Sequence, residues 1–261
     1  GSRPVTVHVS TCSSLNFVRK NFSYKVMTVD DLMDGIMEGG EQQGGGGQQE
    51  EVTAGEEKKA GEEKNVEKKK KEFFYLRAVG ADPRREIAHF ATDFPSLSAD
   101  LPLAGPALPL LPATAEPATG TGGGSSYFSS VLRIGSPGLS LWTHFDVMDN
   151  CLIQVAGRKR VVLFPPSCDA HLHVPANGSS SPIIDIGLDR LAETEKEYPG
   201  FGLAMKQAVT CVLEPGNYST LARHRVFALT FPVSPSSCPH PALPPLPVPS
   251  SLPNQCDLLT I

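Results

Sequence analysis

Four short apolar segments separated by turn residues constrain the fold of this chain more than any other feature. They cover residues 130–134, 139–144, 151–155 and 160–164. Ser-Pro-Gly divides the first pair and Ala-Gly-Arg-Lys the last pair, and both sequences favour tight turns. Short strands at this spacing predict an antiparallel sandwich or barrel, for which a jelly roll is the natural candidate.

His144 and Asp146 lie two residues apart at the end of the second segment. In a strand, residues i and i+2 project to the same side, with their Cα atoms roughly 6.5–7 Å apart. A neutral imidazole and a carboxylate placed in this way supply two corners of the facial triad that holds iron(II) in non-haem oxygenases. The H-x-D tripeptide alone is common by chance, and a strand-end histidine hydrogen-bonded to a nearby aspartate is the simpler interpretation of it.

The sequence around this tripeptide resembles the Jumonji-C (cupin-like) 2-oxoglutarate oxygenases. Residues 133–150 match the run R-I-x-S-P-G-L-x-L-W-T-H-x-D-V-M-D-N almost without gaps, and are most similar to members that hydroxylate wybutosine in tRNA. The similarity spans most of residues 5–216, apart from two low-complexity inserts. It implies a mainly β fold, a double-stranded β-helix (a jelly roll) with flanking helices, and Fe(II) and 2-oxoglutarate as cofactors.

The same resemblance implies roles for individual residues. His144 and Asp146 correspond to iron ligands, and Lys159 to the lysine that pairs with the distal carboxylate of 2-oxoglutarate, a charge-assisted contact. Asn150 and Tyr75 correspond to polar groups that hydrogen-bond the same cosubstrate. Without the resemblance, Lys159 would be interpreted as an exposed turn lysine and Tyr75 as an ordinary core aromatic. No catalytic residue beyond the metal ligands is expected.

The resemblance breaks down after residues 214–216, which read Glu-Pro-Gly. In the family, a run like E-x-G-D-x-L-F-I-P-x-x-W-x-H covers these last strands, and its histidine is the third ligand. Here the only tryptophan is Trp142, and the family register places Phe227 at the ligand position, with His224 three residues earlier. Three hypotheses remain open: an alternative C-terminus replaces the family sequence, His224 serves as third ligand after a local shift, or the chain is a non-catalytic relative.

Composition divides the chain into four parts. Residues 1–38 supply the N-terminal strand and helix of the Jumonji-C domain, and residues 72–216 supply its core, with a flexible loop at 101–126. Between them, residues 39–71 contain mainly Gly, Gln, Glu and Lys and are expected to be disordered. Residues 217–261 are rich in Pro and Ser and are expected to form a disordered tail, which would leave the β-helix truncated at its C-terminal strands.

These features predict an Fe(II)/2-oxoglutarate-dependent hydroxylase that acts on the wybutosine side chain of phenylalanine tRNA, inactive in this chain if the third ligand is missing. A Jumonji-C protein hydroxylase or histone demethylase is one alternative, and a non-catalytic RNA- or protein-binding relative is another. Because the formal net charge is -5, a tRNA partner must be met by a local basic patch.

Location and assembly follow from what the sequence lacks. No apolar run approaches the ~18 residues of a membrane span, and no signal peptide is visible, so an intracellular location, cytoplasmic or nuclear, is expected. Members of the family form homodimers through C-terminal helices. Those helices are absent from this sequence, so a stable homodimer is not expected.

Overall fold

The computed structural model describes residues 4–41, 71–79, 87–101, 116–117, 126–184, 190–221, 226–230 and 259–260. The strands in these ranges are β1 (Pro4–Ser10), β2 (Ser14–Leu15), β3 (Ser23–Thr28), β4 (Phe73–Arg77), β5 (Glu116–Pro117), β6 (Ser126–Tyr127), β7 (Arg133–Gly135), β8 (Ser140–Leu141), β9 (Asn150–Ala156), β10 (Lys159–Phe164), β11 (Val209–Leu213), β12 (Tyr218–Leu221), β13 (Val226–Thr230) and β14 (Leu259–Thr260). The helices are α1 (Val29–Glu41), α2 (Phe90–Asp93), α3 (Pro95–Asp100), α4 (Leu191–Glu197) and α5 (Phe201–Gln207), with a 3-10 helix at Pro166–Cys168. The prediction of a mainly β chain with flanking helices is confirmed.

Two sheets form the layers of the domain. The larger sheet has the strand order β12-β9-β14-β7-β4-β1-β3, and the smaller sheet has the order β11-β10-β13-β8-β2. Every pairing within them is antiparallel except that of β2 with β8. The short strands β5 and β6 form a separate parallel pair. Two antiparallel sheets in this arrangement confirm the predicted jelly-roll class.

The alternation of side chains along β4 shows how the two faces of the larger sheet differ. Phe74 and Leu76 pack in one hydrophobic cluster with Leu32 of α1. Phe73 and Tyr75 point the other way, into a second cluster that also contains side chains of the smaller sheet. Because successive strand residues point to opposite faces, β4 joins two cores. The second cluster marks the interior between the sheets, where the predicted site residues lie.

The start of α1 is fixed by a reciprocal cap. Asp31 N donates to Thr28 Oγ1 at 3.0 Å, and Thr28 N donates to Asp31 Oδ2 at 3.2 Å. This capping box satisfies two donors that the first helical turn leaves without an intrahelical partner. The helix runs to Glu41, so the predicted boundary at residue 38 falls inside it. The rest of the predicted insert, residues 42–70, lies outside the described residues.

The C-terminal part of the chain corrects the prediction that everything after residue 216 is a disordered tail. β12 pairs with β9, β13 lies between β8 and β10, and β14 lies between β7 and β9. The domain is therefore not truncated at these strands. The reason lies in β13, whose residues Val226 and Ala228 join the outer core of the smaller sheet, while Phe227 and Leu229 join the interior. Residues 222–225, 231–258 and 261 of the predicted tail lie outside the described residues.

The predicted flexible loop is only partly described. Within 101–126, Glu116–Pro117 pairs with Ser126–Tyr127, whereas 102–115 and 118–125 lie outside the described residues. None of the helices in the described ranges is long and apolar enough to cross a membrane.

Candidate metal and cosubstrate site

The backbone of His144 is held between two neighbouring segments. Its N–H donates to the carbonyl of Phe227 at 3.0 Å, and Phe227 N–H donates back to the His144 carbonyl at 2.7 Å. On the other side, His144 forms an antiparallel bridge with Ser180. These contacts fix the direction of the His144 side chain, which is 7% exposed.

The imidazole of His144 is oriented and kept neutral by its surroundings. Its Nδ1 lies 2.8 Å from the carbonyl oxygen of Trp142, and the Trp142 ring stacks on it with centroids 4.1 Å apart. A carbonyl only accepts hydrogen bonds, so Nδ1 carries the proton and Nε2 presents its lone pair. Burial lowers the pKa of His144 to about 4, against the opposing effects of the Trp142 carbonyl and of Asp146. A neutral imidazole with an available Nε2 is the form that binds metals.

Asp146 is positioned by the amide of Asn150, at the start of β9. Asn150 Nδ2 donates to Asp146 Oδ2 at 2.6 Å. The resemblance implies that Asn150 binds the cosubstrate, and the structure places its amide against the carboxylate of the predicted metal ligand. Asn150 is thus a partner that orients Asp146, as hydrogen-bonded neighbours of metal ligands commonly do.

Lys159 and Tyr75 lie on the interior faces of opposite sheets. Lys159 is 0% exposed and shares its side of β10 with the interior residue Val161. Burial, followed by the positive charge of Arg133, lowers the pKa of Lys159 well below its ordinary value. The Tyr75 hydroxyl accepts a hydrogen bond from Arg133 Nη1 at 3.1 Å. Lys159 is therefore a buried lysine and not the exposed turn residue that its sequence position alone suggests.

The electrostatic balance of this interior favours an anionic ligand. The charge of Arg133 disfavours the charged form of Lys159, and Arg77 lies at the exposed end of β4 on the same face as Tyr75. Asp146 is close enough to both arginines to favour their charged forms. A small dianion bound here would favour the charged forms of all three basic side chains, because buried charges require such compensation.

Arg77 and Arg133 are the site residues that sequence reasoning missed. A usable signal exists, since Arg77 follows Tyr75 by two residues and Arg133 is the first residue of the close match to the family run. Period-two alternation places Arg77 on the face of Tyr75. What alternation does not reveal is that β4 and β7 are neighbours, which brings Arg133 to the Tyr75 hydroxyl.

The third corner of the predicted triad is occupied by a phenyl ring. Phe227 lies directly opposite His144, and the two rings are 4.5 Å apart between centroids. Across the described ranges, no group of three His, Cys, Asp or Glu side chains is arranged to hold a metal ion. His224, the other candidate, lies outside those ranges. The described residues thus fit two corners of an iron site and do not fit a site with three protein ligands.

Comparison with known proteins supports the family expected from the sequence. A family model described as "Cupin-like domain" matches residues 3–218. The tRNA wybutosine-synthesizing protein 5 of Danio rerio is 36% identical over 236 residues, covering 89% of this chain and 59% of that protein. Its Homo sapiens counterpart is 34% identical over 217 residues, covering 83% of this chain and 55% of that protein.

A second group of relatives carries the similarity in a small part of a longer chain. The tRNA wybutosine-synthesizing protein 4 of Aspergillus oryzae is 35% identical over 184 residues, covering 70% of this chain and 13% of that protein. This chain spans somewhat more than half the length of the two protein 5 relatives that it matches. Because the family model covers residues 3–218 of 261, the chain belongs to the cupin-like (Jumonji-C) domain family.

Proposed function

We propose that the protein acts in wybutosine modification of phenylalanine tRNA, as a 2-oxoglutarate-dependent hydroxylase. The observation that carries the proposal is the convergence of His144, Asp146 and Lys159 on one interior between the sheets. The substrate class is supported by the relatives, which are named tRNA wybutosine-synthesizing proteins.

The cosubstrate part of the proposal is supported by the basic side chains of the interior. Lys159, Arg133 and the Tyr75 hydroxyl would hold the carboxylates of 2-oxoglutarate, because a dianion would favour the charged forms of both basic side chains. When bound, 2-oxoglutarate would supply two electrons for oxygen activation and be converted to succinate and CO2. The protein contributes the interior between the buried faces of two sheets, which excludes bulk water.

The iron part of the proposal is limited by Phe227. His144 and Asp146 are oriented as metal ligands, but a phenyl ring cannot donate a lone pair. We therefore expect the chain to hold Fe(II) weakly and to turn over slowly or not at all. Replacing Phe227 by histidine places a second imidazole on the side of His144, where residues paired across strands lie within reach of one ion.

A second candidate function is a non-catalytic binding protein of the same family. Phe227 is the observation that favours it, because the cosubstrate contacts do not depend on that residue. Under this hypothesis the chain binds 2-oxoglutarate and tRNA without hydroxylation, and Phe227→His does not restore turnover.

Succinate release from 2-oxoglutarate tests the proposal, measured with Fe(II) and hypomodified phenylalanine tRNA. Phe227→His is expected to release succinate only when tRNA is present, while the natural chain and the size control Phe227→Leu release little. Adding Asp146→Ala to Phe227→His should abolish the signal. Folded Phe227→His protein that binds Fe(II) but shows no tRNA-dependent succinate would overturn the tRNA assignment.

A further inference from the structure

We propose that the segment from residue 16 to residue 24 is a docking surface for an unpaired loop of RNA that leads into the site. This inference rests on the proposed function and specifies where the tRNA is held. The surface, called here the aromatic–basic strip, consists of five side chains: Phe17, Arg19, Lys20, Phe22 and Tyr24.

Charge along the sequence singles out this strip. The chain contains 28 acidic residues and has a formal net charge of -5, yet its first acidic residue is Asp30. Arg19 and Lys20 lie in this acid-free stretch, and both are exposed. An acidic protein that binds a polyanion needs a local patch of this kind.

The loop that carries Arg19 and Lys20 is fixed by two asparagines. Asn16 Oδ1 accepts from the backbone N–H groups of Val18 at 2.8 Å and of Arg19 at 2.9 Å. Asn21 Oδ1 accepts from Asn16 N–H at 2.8 Å, and Asn21 Nδ2 donates to the Ser14 carbonyl at 2.7 Å. A loop ordered before binding loses less conformational entropy when it meets its partner.

Aromatic rings connect the strip to the candidate metal ligand. The Trp142 ring that stacks on His144 lies 4.2 Å from the ring of Phe17. Phe17 is followed by Phe22 at 4.7 Å, and Phe22 by Tyr24 at 5.6 Å, all between ring centroids. Tyr24 is 61% exposed, so the series begins at the surface and ends at the site.

Basic side chains interleaved with rings match the chemistry of single-stranded RNA. Its phosphates pair with Arg and Lys, and its unpaired bases stack on aromatic faces. In a duplex, the base faces stack on one another and are not accessible. An acidic peptide carries negative charges but does not carry an aromatic ring beside each of them. An unpaired loop is also the form in which a modified base can enter a pocket between two sheets.

The charge part of the proposal is tested with a labelled anticodon stem–loop RNA and fluorescence anisotropy. The double variant Arg19→Ala/Lys20→Ala is compared with Lys196→Ala/Lys206→Ala, which removes the same charge from exposed positions elsewhere. The strip variant should bind at least about tenfold more weakly, with the salt slope reduced by about 1.4 for two lost contacts to single-stranded RNA. The control variant should retain both values.

The aromatic part is tested at Tyr24, whose exposure makes substitution safe for the fold. Tyr24→Leu should weaken RNA binding at least about fivefold without changing the salt slope, because a stacking contact and not a phosphate contact is lost. Tyr24→Phe keeps the ring and should bind like the natural chain.

Several outcomes would contradict the proposal that the aromatic–basic strip binds RNA. They are equal RNA affinity of the two double variants, no RNA binding by the natural chain, or strip-dependent binding to phosphatidylserine vesicles in place of RNA. If Phe227→His shows tRNA-dependent succinate release together with any of these outcomes, the proposed function stands and only the docking surface is contradicted. Strip-dependent RNA binding without such succinate release would support the docking surface and contradict the proposed hydroxylase function.

Discussion

At the scale of single residues, three groups from Trp142 and Phe227 surround the imidazole of His144. The Trp142 carbonyl fixes its tautomer, the Trp142 ring covers one face, and the Phe227 ring lies beside it. This environment excludes water, and burial disfavours the charged form of the imidazole more than the Trp142 carbonyl and Asp146 favour it. His144 is held as a neutral ligand before any metal arrives.

We expect the free energy of unfolding to decrease as the pH falls from about 6.5 to about 4, because of His144. The ordinary pKa is 6.5, and burial lowers the folded-state value to about 4, so in this window the unfolded chain binds a proton that the folded chain does not. The contribution is fully present above pH 6.5 and is lost as pH falls, at up to ~1.4 kcal/mol per pH unit.

Urea unfolding of the natural chain and of His144→Gln at several pH values measures this effect. The difference between their free energies of unfolding should change only inside the window, and His173→Gln, at an exposed histidine, serves as control. A difference that stays constant from pH 7 to pH 4 would show that His144 does not titrate as described.

Replacing Lys159 should separate cosubstrate binding from stability. Lys159→Met replaces a buried amine, whose charged form burial disfavours, by an apolar side chain of nearly the same size, so the free energy of unfolding should stay the same or rise by roughly 1 kcal/mol. The affinity for 2-oxoglutarate should drop at least about tenfold, because a charge-assisted contact is lost. Arg160→Met, the neighbour on the other face of β10, should keep the affinity.

The single tryptophan provides the readout for this comparison. Trp142 stacks on His144 inside the candidate site, so its fluorescence should respond to 2-oxoglutarate. Unchanged affinity in Lys159→Met, with the response of Trp142 intact, would remove Lys159 from the cosubstrate contacts.

At the scale of elements, the strands around the site were predictable because their signal is local. Alternation and turn residues predict strands at 151–155 and 160–164, and the structure has them at Asn150–Ala156 and Lys159–Phe164. The segment 139–144 is less regular than predicted, with a strand only at Ser140–Leu141. The reason is that His144 bridges to two different segments, which interrupts the ladder.

The pairing partners of β13 could not be predicted from the sequence. The alternation of Val226 to Leu229 is visible in the sequence, but its partners lie far away along the chain, at Ser140 and in β10. Pairing of distant strands is decided by packing of whole faces and not by local propensity. For the same reason, the meeting of Arg133 and Tyr75 needed the structure, whereas the His144–Asp146 pair did not.

The capping box of α1 gives a stability prediction for an element. Thr28→Ala removes the side-chain acceptor for Asp31 N–H and should lower the free energy of unfolding by about 1 kcal/mol. Thr28→Ser keeps the hydroxyl and should stay close to the natural value. Urea unfolding with circular dichroism measures both, and equal loss in the two variants would mean that the methyl group, and not the hydroxyl, stabilises this helix start.

At the scale of the whole molecule, two regions within the described residues of this acidic chain bring basic side chains together. One is the interior around Arg133 and Lys159, and the other is the acid-free N-terminal stretch before Asp30. The first fits a small dianion and the second fits the backbone of a nucleic acid. The two regions are joined by the aromatic series from Trp142 to Tyr24.

We expect 2-oxoglutarate to stabilise the natural chain even when EDTA removes every metal ion. The proposed contacts of the basic side chains with the ligand do not involve iron, so at a free concentration of 100 times the dissociation constant the free energy of unfolding should rise by about 2.7 kcal/mol. Thermal melting with and without 2-oxoglutarate measures the effect. Stabilisation that appears only when metal is added would mean that the metal, and not the basic side chains, holds the cosubstrate.

The role of Phe227 is central to this account, and a Co(II) titration in the presence of 2-oxoglutarate tests it most directly. Four proteins are compared: the natural chain, Phe227→His, Phe227→Leu and His224→Ala. Phe227→His should bind Co(II) at least about 100-fold more tightly than the natural chain, because a third ligand completes the site, while Phe227→Leu and His224→Ala should match the natural chain. Tight binding by the natural chain, lost in His224→Ala and not improved by Phe227→His, would contradict the account.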